Sequence, residues 1–159
     1  MKSAVTLRPW TTDDTRFACK VRNHPDIMCW FRQDEPLTED AQWYFIENDV
    51  YKNSGYKGRI IEYKGKPVGL CGIKTSREFT IGLLPEYQGQ GIAKKAMELL
   101  LKDKHGVWSE VFVGNPALEF FIAKCGFRIT EVKERAYYKK GKGLVDVVTI
   151  RHDNKPNTR

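Results

Sequence analysis

Apolar positions recur every second residue in some stretches of this chain and every third or fourth in others, and the two periods divide it into elements. The opening "AVTLRPW" alternates as a strand. Thr11 or Thr12 followed by Asp13 and Asp14 makes a helix start, and the segment from Asp14 to Asn23 reads as a helix stopped by Pro25. A second start lies in "LTEDAQWYFIEND", where Thr38 precedes Glu39 and Asp40. Ala41 stands where a capping box would need an acid or Gln, and Trp43, Phe45, Ile46 and Val50 give the predicted apolar face. Between these helices "HPDIMCWFRQDEP" reads as an aromatic-bearing connection. "GRIIEYKG" and "KPVGLCGIK" form a hairpin joined around Gly65 and Lys66, and a third strand, "EFTIGLL", ends at Pro85. Ile92, Ala96, Leu99 and Leu100 then predict a helix from about Gln90 to about Lys104. A strand over Val107 to Val113 follows, then a short helix capped by Asn115, with Pro116 at its first position and Gly126 past its end. "FRITEVKERAYYKK", the turn "GKG" and "LVDVVTIRH" close the chain as a long hairpin.

This order predicts an α/β chain of the α+β kind: one domain over residues 1–152 with a mixed, largely antiparallel twisted sheet flanked by helices, and a flexible tail at 153–159. A length of 159 residues, 41% of them hydrophobic and 12% aromatic, suits one globular core. No apolar run approaches the ~20 residues of a membrane span. The opening "MKSAVTLRPW" lacks the apolar stretch of a secretory signal, so a cytoplasmic setting is expected. Cys19, Cys29, Cys71 and Cys125 form no CxxC pair and read as buried free thiols. His24, His105 and His152 are isolated in sequence, so no metal site is expected. The net charge of +7 favours a polyanionic partner: a phosphate-rich cofactor, a nucleotide-linked substrate or nucleic acid. The basic clusters at Lys94 and Lys95, "KDK" and "YYKKGKG" read mostly as solvated faces.

The start of the 90–104 helix is chemically odd. A helix N-terminus leaves backbone N–H donors unpaired and carries partial positive charge, which usually draws a capping side chain and acids. "EYQGQGIAKK" offers two glycines and two lysines instead, which points to an anion from outside the chain. A Walker A loop would need Gly-Lys-Ser/Thr after its second glycine, and a dinucleotide fingerprint would need a small residue at Lys94; neither fits. What remains is Gln88, two residues, Gly91, one residue, Ala93, at a strand-to-helix handover. In this Q/R-x-x-G-x-G/A pattern the chain resembles the GNAT superfamily of acyl-CoA N-acyltransferases. "NPALEFFIAKCGF", Asn115 to Phe127, resembles that family's second signature and follows in the expected order. "VRNHPDIMCWF" and "LTEDAQWYFIE" resemble the branch holding acetyltransferases of ribosomal-protein N-termini and of nucleotide-linked amino sugars.

The resemblance implies acetyl-CoA as co-substrate, with its diphosphate on the backbone amides of Gly89, Gln90, Gly91, Ile92, Ala93 and Lys94 after Gln88. It implies the pantetheine arm running beside the strand that ends at Leu83 and Leu84, and Asn115 touching that arm or capping its helix. Lys124 lies near the nucleotide end on this reading, or is a solvated side chain. The implied reaction is attack of a neutral amine on the thioester, with the N–H of Leu83 as oxyanion donor. The family's usual general-acid Tyr falls at Ile122, which cannot donate a proton, so Tyr138, Tyr137, Cys125 or water is left to protonate the thiolate. Glu62, Glu78, Glu110 and His24 are the conceivable bases. Trp30, Phe31, Arg32 and Trp43 are expected on the acceptor side, or in the core. The implied acceptor is the primary amine of a small molecule such as a nucleotide-linked amino sugar. A protein amine or nucleic-acid base, and a silent CoA-binding module, are the alternatives.

Overall fold

The computed structural model describes residues 4–50 and 55–153. Of the expected tail only Asp153 is among them, and residues 154–159 lie outside the described residues, as does the side chain of Val50. Two compact units are present, Met1–Leu100 and Leu101–Arg159.

In the first unit β1 (Val5–Pro9), β2 (Tyr56–Tyr63), β3 (Lys66–Lys74) and β4 (Phe79–Leu83) form a four-stranded sheet in that order. In the second, β5 (Val107–Phe112), β6 (Arg128–Lys139) and β7 (Gly143–His152) form a sheet of order β5-β7-β6. All pairings in both sheets are antiparallel. The α+β class holds, with its hydrogen-bonded strands divided between two sheets. Alternation along a strand identifies it without saying which edges join, so that division was not readable from the pattern.

The helices are α1 (Thr15–Arg22), α2 (Pro25–Met28), α3 (Glu39–Phe45), α4 (Ile92–Leu101) and α5 (Ala117–Cys125). The aromatic connection thus contains a short helix, α2, whose first turn is set by Pro25 and capped by His24 Nδ1 accepting from the N–H of Asp26 at 3.2 Å. The β2–β3 turn is Lys64–Gly65, one residue before the expected position, both with positive φ (51° and 79°) as a two-residue type I′ hairpin requires. α4 is shorter than the periodicity predicted, because Gly91 at φ 82° and Asp103 at φ 59° take the backbone out of the helical region at each end.

Trp10 just after β1, residues of α1, α2, β2 and β3, Ile46 just after α3 and Leu84 just after β4 meet in one core cluster of Trp10, Ala18, Val21, Ile27, Ile46, Ile60, Leu70 and Leu84. The apolar face expected for α3 needs correction at Trp43, which is 46% exposed, while Gln42 takes the inward place, buried and without a side-chain hydrogen-bond partner among the described residues. Gln42, Phe45 and Ile46 share a stripe at i, i+3, i+4, which turns Trp43 to solvent. In α4 the inward residues are Ile92, Ala96, Met97, Leu100 and Leu101, with Leu99 only half-buried.

The entry to α1 is closed by the chain's own side chains. Thr11 Oγ1 accepts from the N–H of Asp13 (3.3 Å) and Asp14 Oδ2 accepts from the N–H of Thr11 (2.8 Å). Arg8 donates two bonds of 2.9 Å to the Asp14 carboxylate and a third of 3.0 Å to Glu62. Burial pushes the Asp14 pKa up, but the bonds from Arg8 and Thr11 outweigh it, so the net direction is down.

In the second unit, Asn115 Oδ1 accepts from the N–H of Ala117 (2.9 Å), the capping contact expected at the start of α5. Phe121 and Phe127 are buried with ring centroids 5.8 Å apart. Asp153 accepts from Arg151 (2.8 Å) and Arg128 (3.1 Å). The four cysteines are free thiols, Cys19 and Cys71 buried and Cys29 and Cys125 half-buried. One lysine of the "YYKKGKG" cluster departs from the solvated reading: Lys139 is 3% exposed.

Candidate active site

β4 is the last strand of its sheet, and its hydrogen-bond phase can be read from its two ends. The N–H of Leu84 donates to Val68 O (3.0 Å), and the N–H of Lys74 donates to Glu78 O (2.9 Å). Hydrogen-bonded and non-bonded pairs alternate along an antiparallel ladder. Residues 78, 80, 82 and 84 therefore direct their peptide groups at β3, and Phe79, Ile81 and Leu83 direct theirs off the outer edge. Leu83 O is taken on that side by Gln88 Nε2 at 2.9 Å, so its N–H is left as an outward donor at the strand's end. The side chains of Leu83 and Leu84 are buried and anchor this end of the strand.

The chain then turns through Pro85–Tyr87 into α4. Gln90 Nε2 donates back to Glu86 O (3.0 Å), so both glutamines of "YQGQG" brace the turn with their side chains. Gly89 (φ 77°) and Gly91 (φ 82°) occupy left-handed conformations that other residues adopt at a cost. A Cβ built on either meets no atom within 4 Å, so the space above these backbones is open. The first bond of α4 runs from the N–H of Lys95 to Gly91 O (3.2 Å), which leaves the N–H groups of Ile92, Ala93 and Lys94 ahead of any intrahelical acceptor. No acid lies in that first turn. The first acid along the helix is Glu98, 4.0 Å from Lys94 Nζ and 3.8 Å from Lys95 Nζ. Open space, unpaired donors and two cations fit a phosphate or diphosphate group.

Gln88 to Lys94 thus form one continuous turn beginning five residues beyond Leu83. Asn115 and Ile122 share an open groove in the second unit with Leu118 and Glu119. Ile122 is 38% exposed and Lys124 is exposed. Tyr138, on β6, is 66% exposed, whereas Tyr137 stacks on Phe112 at 5.6 Å. Of the conceivable bases, Glu62 is held by Arg8 (3.0 Å), Glu78 by Lys74 (3.0 Å) and Glu110 by Lys133 (3.1 Å). His24 has its Nδ1 engaged as a helix cap. Among the expected acceptor-side aromatics, Phe31 packs on the core cluster and reaches β4, its Cε2 lying 3.9 Å from a Cβ built on Gly82.

Tyr56 and Thr80 carry a polar contact that sequence reading missed. The Tyr56 hydroxyl and Thr80 Oγ1 are 2.8 Å apart. The residues stand 24 positions apart and meet only through the register of β2, β3 and β4, so no local spacing announces them. Burial, the largest influence on the Tyr56 hydroxyl, pushes its pKa up to about 12.

Among the described residues no group of three or more His, Cys, Asp or Glu could hold a metal ion, and no helix is long and apolar enough to cross a membrane.

Comparison with known proteins shows which family the chain resembles. Residues 4–128 match the family described as Acetyltransferase (GNAT) domain. Spermidine N(1)-acetyltransferase of Vibrio cholerae is 27% identical over 146 residues, covering 80% of each chain. Among solved structures, a putative acetyltransferase from Salmonella typhimurium with its cofactor acetyl-CoA superposes with a TM-score of 0.79 at 19% identity, covering 99% of this chain and 98% of that one. A ribosomal L7/L12 alpha-N-protein acetyltransferase in complex with coenzyme A gives 0.81 at 13% identity, covering 96% and 95%.

Proposed function

Since the chain belongs to the GNAT family of acetyltransferases and is an acyl-CoA-dependent N-acyltransferase using acetyl-CoA, we propose that it acetylates the primary amine of a small molecule in the cytoplasm. The observation that carries the reading is the pair formed by the outward N–H of Leu83 and the bare α4 start that follows the turn begun at Gln88. The N–H groups of Ile92, Ala93 and Lys94, with the open turn over Gly89, Gln90 and Gly91, hold the diphosphate. Gln88 acts by bracing: its bond to Leu83 O fixes the turn against the strand end and keeps that carbonyl from competing for the arm. The pantetheine chain carries two amides, and the outward peptide groups of Ile81 and Leu83 offer it a strand edge; Leu84, with its N–H given to Val68, contributes packing. The family resemblance adds Asn115, whose side chain is fixed by its capping bond, as a further residue for the arm.

Attack of the amine nitrogen on the thioester carbon puts negative charge on the carbonyl oxygen, which the Leu83 N–H stabilises in place at the strand's end. The C–S bond then breaks and the thiolate takes a proton. Ile122 cannot supply it, and the exposed phenol of Tyr138 is our candidate donor. A thiol with an ordinary pKa near ~8.5 leaves readily enough that water can share the role. The three ion-paired glutamates each already hold a cation, so the proton leaving the ammonium is best carried off by water.

The names of the curated relatives put spermidine first among acceptors to assay. A nucleotide-linked amino sugar, the acceptor suggested by the branch that the N-terminal segments resemble, is the second to assay. The test is thermal denaturation with and without acetyl-CoA, followed by an acetylation assay over a pooled set of small amines with mass detection. A rise in Tm and turnover of at least one amine are expected; no shift with either acetyl-CoA or CoA removes the reading.

A further inference from the structure

Glycine weakens a strand, and inside one it marks a bulge or the close approach of another backbone. β3 holds two glycines, Gly69 and Gly72, and they make room for different things. A Cβ at Gly72 would collide with the phenol ring and hydroxyl of Tyr56, a side chain. A Cβ at Gly69 would collide with the carbonyl oxygen of Gly82 and stand 3.1 Å from both Cα and Cδ1 of Leu83. Gly69 is not among the glycines with positive φ, so space and not conformation excludes a side chain there. It is also buried, which leaves an added methyl no solvent to turn into.

The ladder explains the approach. β2 pairs Ile61 with Gly69 and Glu62 with Pro67, so Val68 is the extra residue of a bulge in β3, directly before Gly69. A bulge bends its strand and re-aims the residues beside it. β4 is nonetheless held against this bent piece: Val68 O receives the N–H of Leu84 at 3.0 Å, and Gly69 stands opposite Leu83. An ordinary antiparallel position accommodates a Cβ on each strand. Here two backbones meet with room for a hydrogen alone.

The peptide unit that Gly69 touches is the one joining Gly82 to Leu83, whose N–H faces off the outer edge of β4. A peptide unit is planar and its C=O and N–H point in opposite directions, so pushing the Gly82 oxygen aside turns the Leu83 N–H with it. The donor is a main-chain group, and exchanging the Leu83 side chain leaves it in place. We propose that Gly69 is a positioning residue for acetyl transfer: its missing side chain lets the Gly82–Leu83 peptide lie at the angle from which the Leu83 N–H meets the oxyanion. The inference rests on the role given to that N–H under the proposed function, and Gly69 acts through the peptide.

The test measures kcat and KM, for acetyl-CoA and for the amine turned over fastest in the pooled assay, in the unaltered protein, Gly69→Ala, Gly72→Ala and the double variant Gly69→Ala with Leu83→Ala. Tm is read in the same samples with and without acetyl-CoA. Gly69→Ala is expected to lower kcat by about 10²-fold, the scale of one misplaced oxyanion donor, with both KM values and the acetyl-CoA rise in Tm little changed. Gly72→Ala, which crowds Tyr56, lowers Tm and leaves kcat as it was. The double variant stays slow, because trimming Leu83 does not move the Gly82 carbonyl. Unchanged kcat in Gly69→Ala, an equal fall in Gly72→Ala, or recovery in the double variant overturns the proposal. Should Gly69→Ala not fold, the contact is read by NMR in the unaltered protein titrated with acetyl-CoA and with CoA. The Leu83 N–H and the Gly69 α-proton facing the Gly82 oxygen are expected to shift together with acetyl-CoA and less with CoA, since polarising one end of a peptide unit polarises the other. A Leu83 N–H that shifts alone overturns the role of Gly69; no shift of either with acetyl-CoA bound ends the donor role of Leu83 and this inference with it. Turnover with kcat retained in Gly69→Ala leaves the acetyltransferase reading standing, whereas an unaltered protein with neither turnover nor an acetyl-CoA shift in Tm ends both.

Discussion

The first unit contains two places where a strand hands over to a helix, and they solve the same problem in opposite ways. Between β1 and α1 the chain finishes its own helix end: Thr11 and Asp14 cap, and Arg8 clamps the Asp14 carboxylate at 2.9 Å. Between β4 and α4 there is no acid in the first turn, two glycines stand where a cap would be, and the first carboxylate along the helix is Glu98. Both helices bury an apolar stripe, so neither start is a sign of a weak helix. The difference lies in who supplies the negative charge. At α1 the protein carries it permanently and gains stability; at α4, on the function proposed above, the charge is left to a ligand and the site gains affinity.

The strongest way to break the comparison is to give α4 the acid that α1 already has. Gly91→Glu places a carboxylate where the diphosphate is to bind, and like charges forced together cost several kcal/mol, so acetyl-CoA affinity is expected to fall by about 10³-fold. The ligand-induced rise in Tm disappears with it. Because Gly91 has φ 82°, strain accompanies this change, and Gly91→Ala isolates it: a loss of roughly 1 kcal/mol in stability with the acetyl-CoA shift retained. Equal loss of the shift in both variants would mean that backbone geometry, and not the ligand's charge, is what this turn controls.

The converse change removes the acid from α1. Asp14→Ala leaves the partly exposed Arg8 with Glu62 alone and frees the N–H of Thr11, with an expected loss of about 2 kcal/mol by denaturant unfolding and no change in the acetyl-CoA shift. The pH dependence has a fixed sign. The folded-state pKa of Asp14 is held below the ordinary value of 3.8, so its contribution is complete above that value and is lost as pH falls through the folded one. Acid unfolding of the Asp14→Ala protein is accordingly expected to be less steep across this window than that of the unaltered protein.

These two ends also show what could be read from sequence. "LRPWTTDD" and "EYQGQGIAKK" announce a capped and an uncapped start through residue types at adjacent positions, and Asn115 with Pro116 announces the start of α5 in the same local way. Chemistry held by consecutive residues is legible because the turn that presents it is itself local. The division of the strands into two sheets, the outward N–H of Leu83 and the meeting of Tyr56 with Thr80 depend on strand register, which alternation constrains only by parity. Trp43 shows the same limit on a helix: a stripe can be drawn through Trp43 or through Gln42, and apolarity chose the wrong one.

Asn115 tests whether the third helix start resembles α1 or α4. Its Oδ1 caps Ala117 at 2.9 Å, so Asn115→Ala is expected to cost about 1 kcal/mol of stability as any lost cap does. Asn115→Asp keeps the cap acceptor while removing the amide's donors. If the residue also touches the pantetheine arm, both variants weaken acetyl-CoA binding; if it serves only as a cap, the Asp variant binds as the unaltered protein does.

The smallest effect is carried by Glu98, and its sign is the informative part. It stands 4.0 Å from Lys94 Nζ and 3.8 Å from Lys95 Nζ, with all three side chains well exposed, so each pair stabilises the helix by only a few tenths of a kcal/mol. Glu98→Gln is therefore expected to lower the stability of the ligand-free protein slightly. The same change removes a negative charge one turn from the proposed diphosphate and releases both lysines toward it, so acetyl-CoA binding is expected to tighten by roughly 2-fold at low salt and by less as ionic strength rises. Opposite signs in the two measurements are what an anion site at this helix start requires. A loss in both would place Lys94 and Lys95 in the helix's own surface pairing and nowhere nearer the ligand.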